Sequence, residues 1–63
     1  MDPDAAELSS LMSVVSDAAV RVAEVAERRG SEPDDPLTGR LHEIERSLVT
    51  AGRRLRSVVR DLD

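Results

Sequence analysis

Cysteine, lysine, phenylalanine, tyrosine and tryptophan are all missing from this 63-residue chain. Without cysteine there are no disulfides and no thiolate metal sites. Without aromatic rings there is no stacking platform for single-stranded nucleic acid and no aromatic anchor at a membrane interface. Histidine occurs once, as His42, so no histidine cluster can be built. No apolar run approaches the roughly 18–20 residues of a membrane-spanning helix. A glycine-rich phosphate loop, a spaced set of metal ligands and a nucleophile–base pairing are equally missing. These absences together argue against an enzyme, a cofactor site, a metal site and a membrane protein.

What the chain does have is charge and aliphatic side chains. The net charge is −4, unevenly placed. Residues 1–36 carry nine acids and three arginines, whereas residues 37–63 carry four acids and six arginines. Such asymmetry marks a binding tail or two halves that attract each other. The opening "MDPDAAEL" is acidic where a signal peptide is basic, so the expected location is cytoplasmic. A chain this short supplies at most about 3–5 kcal/mol from one core, so a disulfide, a metal or a partner is usually needed. With the first two excluded, association is the expected source of further stability.

Helix signals come in two sets. Asp2 followed by Pro3, and Asp35 followed by Pro36, each combine an N-cap acceptor with a first-turn proline. Between them lies "RRGSEPDDPLTG", where Gly30 is suited to a left-handed helix end and Pro33 and Pro36 stop continuation. The reading is an all-α single domain over 1–63. It is an antiparallel helical hairpin with helices at about 3–29 and 36–62 and a loop at about 30–35, dimerising into a four-helix bundle.

The spacing of apolar residues supports this. In the second helix Leu37, Leu41, Ile44, Leu48, Ala51, Leu55, Val58 and Leu62 alternate spacings of four and three, a heptad seam. In the first helix Leu8, Leu11, Val15, Ala18, Val22 and Val25 do the same. A register centred on Pro33, with facing residue numbers adding to 66, pairs Val25 with Leu41, Val22 with Ile44, Ala18 with Leu48, Val15 with Ala51, Leu11 with Leu55 and Leu8 with Val58. On one flank Glu7, Val14, Arg21 and Arg28 oppose, in reverse order, Arg40, Ser47, Arg54 and Asp61, so that Arg28 meets Arg40 and Glu7 meets Asp61. Like charges meet at both ends of that flank, so it is expected to be splayed and wet. The other flank, with Met12, Ala19, Ala23, Ala26, Val49, Gly52 and Val59, is small and apolar, and is the expected docking face for a second hairpin. Gly52 within a helix costs roughly 0.5–1 kcal/mol against alanine, which calls for a packing reason.

The arginines give the alternative. Arg46, Arg53 and Arg60 share an outer row, with Arg56 beside it, and would form a ridge able to meet phosphate or an acidic surface. Glu43 is placed to pair with Arg46, and Arg60 with Asp63. The loop acids Glu32, Asp34 and Asp35 lack the spacing of a calcium loop. His42 is read as an exposed or interface residue, and Ser9, Ser10, Ser13 and Ser16 as a wet helix face. The expected function is therefore a non-catalytic protein–protein interaction module, partnered by a second copy, another protein, or both. It would serve as adaptor, regulator or accessory subunit. The alternative is a dimer binding nucleic acid or another anionic ligand through the arginine ridge.

Overall fold

A computed structural model of the chain describes residues 2–31 and 35–62. Two antiparallel helices account for nearly all of them: α1, Pro3–Arg29, and α2, Leu37–Leu62. The Asp2 carboxylate accepts the Asp4 N–H at 2.8 Å, and Pro3 occupies the first turn, where its missing N–H costs nothing. The Asp35 carboxylate accepts the Leu37 N–H at 2.8 Å and starts α2. Its other oxygen accepts from the Arg29 guanidinium, also at 2.8 Å. One side chain therefore ties the last residue of α1 to the first turn of α2.

The end of α1 differs from the expected left-handed glycine. Gly30 has φ −62° and ψ −15°, and its N–H reaches the Ala26 carbonyl at 2.8 Å, so the helical path continues through it. The Ser31 hydroxyl donates to the Arg28 carbonyl at 2.9 Å and satisfies one of the orphan acceptors that a left-handed cap would otherwise serve. A Cβ on Gly30 would lie 3.9 Å from the Thr38 methyl, which shows how closely the helix ends approach. The register midpoint Pro33, the loop acids Glu32 and Asp34, and the Arg60–Asp63 pair involve positions outside the described residues.

The packed stripe is turned from the expected seam. Among the described residues only Ala5, Ala19 and Ala26 are buried, at 0%, 6% and 0% exposure. They share one sevenfold row of α1 with the half-buried Met12. Leu8, Val15 and Val22 form the adjoining half-buried row. On α2 the half-buried positions that repeat every three and four residues are Thr38, Leu41, Glu45, Leu48, Gly52, Leu55 and Val59. Leu11, Ile44 and Val58, expected inside, are 45%, 49% and 45% exposed. Ala19 and Ala26, expected on an outer docking face, lie within the hairpin.

The physical reason is size. The buried positions of α1 are alanines, and across from the adjoining row a Cβ at Gly52 would sit 3.9 Å from Val15 Cγ1, so small residues on both helices accompany their close approach. The two approaches that a glycine Cβ would make across the hairpin, Gly52 to Val15 and Gly30 to Thr38, have residue numbers adding to 67 and 68, one or two beyond the expected 66. Two helices also have no third wall. No large side chain among the described residues is fully buried.

Candidate interaction surface

The turned stripe leaves the hairpin with two broad sides, and each collects residues that the sequence assigns differently. On one side a groove runs between the helices. Met12, Ala19, Ala23, Leu48, Val49 and Gly52 supply its apolar lining. Glu24, Glu27 and Glu45 border it toward the loop, and Arg53 and Arg56 toward the open end. Five residues expected on a docking face, Met12, Ala19, Ala23, Val49 and Gly52, thus line this groove. Among the exposed large apolar side chains, however, only Val20 and Val49 belong to it. Val59 is half-buried farther along α2.

The opposite side is more apolar. Residues seven apart share a row on these helices. The row Leu11, Ala18 and Val25 of α1 lies beside the row Leu37, Ile44, Ala51 and Val58 of α2. Leu11, Leu37, Ile44 and Val58 are exposed, and Ala18, Val25 and Ala51 are half-buried. From Leu11 to Val25 on α1 and from Leu37 to Val58 on α2 neither row carries a charged residue, and the exposed Asp4 ends the α1 row at the open end. An apolar strip of this extent on so small a molecule is a docking signal, because isolated exposed leucines are ordinary whereas contiguous ones are not.

The rows bordering the strip are those in which the sequence places like charges opposite one another. Arg28 and Arg40 stand at the loop end, Glu7 and Asp61 at the open end, and all four are exposed. None of them is in an ion pair among the described residues, where the pairs are Arg21–Asp17 at 3.9 Å and Arg29–Asp35 at 2.8 Å, and where His42 Nδ1 lies 3.7 Å from Glu45 Oε1. The expected Glu43–Arg46 pair is not formed, and the Glu43 carbonyl accepts the Ser47 hydroxyl at 3.2 Å.

The arginine ridge is divided. Arg53 and Arg56 turn to the groove, whereas Arg46 lies with Arg54 around a shallow hollow lined by Ala51, Leu55 and Val58. Arg60 is exposed near the C-terminal end of α2, where its charge complements the helix dipole. Ser9, Ser13 and Ser16 line a shallow hollow together with Met12, Asp17 and Val20 of α1 and Arg56 of α2, while the Ser10 hydroxyl donates to the Ala6 carbonyl at 3.4 Å. His42 is exposed and reaches only Glu45.

The Asp35 carboxyl is held below its ordinary value, first by the Leu37 N–H and then by the Arg29 guanidinium. Its role is structural: it joins the two helix ends. Sequence reasoning finds its cap role but misses its tie to Arg29, which arises only when the hairpin closes. No three histidine, cysteine or acidic side chains are grouped to hold a metal among the described residues. No described helix is long and apolar enough to cross a membrane. No protein-family model, curated protein or solved structure matches the chain.

Proposed function

We propose that this protein is a non-catalytic interaction module: a helical hairpin that completes its core by self-association and serves as adaptor, regulator or accessory subunit of a larger assembly. One observation carries the reading. The hairpin buries three alanines and leaves Leu11, Leu37, Ile44 and Val58 on one exposed strip. Burying apolar surface contributes about 25 cal/mol per Å², and a lone hairpin forgoes most of that contribution. A second hairpin laid on the strip supplies the missing wall and gives a four-helix bundle. The division of the arginines between two sides weighs against a single phosphate-tracking ridge.

The test is sedimentation equilibrium together with far-ultraviolet circular dichroism across the micromolar range. The expected result is a dimer at high concentration and a loss of helicity as dilution dissociates it. A helical, sharply melting monomer at all concentrations would overturn the reading.

A further inference from the structure

We propose, resting on that reading, that the partner is a second copy of this chain. It docks strip to strip with its loop at the opposite end, about a two-fold axis crossing the strip at the level of Ala18 and Ala51. The apolar strip supplies the adhesion and the charges at its two ends choose the orientation.

The geometry follows from the rows. Such an axis lays α1 on the second copy's α1 and α2 on its α2, each pair antiparallel. Positions then exchange about the centre. Ala18 meets Ala18 of the second copy and Ala51 meets Ala51, and these small residues permit close approach at the middle. Leu11 meets Val25 of the second copy, and Ile44 meets Val58. At the ends, Arg28 meets Glu7 and Arg40 meets Asp61. The like-charged neighbours that burden one hairpin become four opposite-charged pairs between two.

The other two-fold arrangement, with both loops at the same end, lays α1 on the second copy's α2. It sets Arg28 against Arg40 and Glu7 against Asp61, so both ends repel. Exposed ion pairs are individually weak, but like-charge juxtaposition across an interface suppresses a wrong geometry more effectively than attraction strengthens a right one. Size is also adequate. Helices about 40 Å long, two abreast, bury on the order of 1,200 Å² in total, at the lower end of the range for stable interfaces. The groove on the far side stays open.

Charge reversal and a single cysteine test this. The double variant Arg28→Glu/Arg40→Glu makes both ends acidic and should raise the dimer dissociation constant at least tenfold at low salt. Adding Glu7→Arg and Asp61→Arg restores complementarity and should return it to within about threefold of the native value. That rescue separates lost docking from lost folding. The native chain has no cysteine, so Ala51→Cys places one thiol beside the axis, and mild oxidation should give a covalent dimer. A double variant that dimerises like the native chain would refute the orientation. An Ala51→Cys chain that sediments as a dimer but does not cross-link would refute the register and face. In either case self-association would still stand, whereas a native chain that stays monomeric would remove the reading beneath it.

Discussion

Gly52 and Gly39 both lie inside α2, and their surroundings set what alanine would do there. A Cβ at Gly39 meets nothing within 4 Å, and one at Gly52 meets Val15 Cγ1 at an ordinary 3.9 Å. Neither site needs a glycine for backbone reasons, since no glycine among the described residues has positive φ. Alanine should therefore stabilise at each by about 0.5–1 kcal/mol through helix propensity and a less flexible unfolded chain. Thermal melts should show upward shifts of several degrees. Leucine at Gly52 should lower the melting temperature, because it would push α2 away from Val15. Thr38 offers a further residue-scale check. Its hydroxyl is buried with no hydrogen-bond partner among the described residues. A buried hydroxyl left unpaired costs roughly 1–3 kcal/mol, so Thr38→Val, which keeps the shape, should raise stability by about 1 kcal/mol in urea denaturation.

At the scale of the element, the two helix starts are legible because they are local. Asp2 with Pro3, and Asp35 with Pro36, satisfy orphan N–H groups within two residues of themselves, and no tertiary contact is needed. Which face of each helix turns inward is less legible. On α1 the rows of Ala5, of Leu8 and of Leu11 are adjacent and almost wholly apolar, so periodicity marks a broad stripe without fixing its centre. The heptad spacing centres the seam between the row of Leu8 and the row of Leu11 on α1, and between the rows of Leu41 and Ile44 on α2. Packing between two unsupported helices favours the row of small residues, because that row lets the backbones close. The recurrence of alanine at positions 5, 19 and 26, with Gly52 on the other helix, is the signal that points the right way.

The Asp35 tie is tested at this scale. A carboxyl with a lowered folded-state pKa adds stability that is complete above its ordinary value of 3.8 and lost as the pH falls through the folded value. Asp35→Asn keeps an N-cap acceptor and loses the Arg29 pair; Asp35→Ala loses both. Melting temperatures near neutral pH should fall in that order. The gap between the native chain and Asp35→Ala should be full above pH 3.8 and should narrow as the pH falls below that value through the lowered folded-state pKa, as the native carboxyl takes up its proton.

For the whole molecule, the sequence makes association the expectation, and the hairpin sharpens where it would occur. The strip of Leu11, Ile44 and Val58 is made of residues that the heptad pattern assigns to the inside. They meet that pattern only if the inside belongs to four helices. The pattern is thus legible as a seam but silent on how many helices share it. Changing Ile44 to Asp should weaken self-association at least tenfold by sedimentation. Because Ile44 is 49% exposed in one hairpin, the change costs that hairpin little packing of its own. Leu48→Asp, in contrast, should abolish helicity at every concentration, because Leu48 is half-buried between α1 and α2.

A core whose buried residues are all alanine has one more consequence, for lifetime. Under the self-association proposed above, the folded form is populated by mass action, and an unpartnered copy opens more often than a paired one. Proteolysis of the open form drains it irreversibly. The chain should therefore carry its own quality control: copies beyond what their partners can pair are cleared first. In a purified system this predicts that the half-life against a non-specific protease lengthens as the concentration rises.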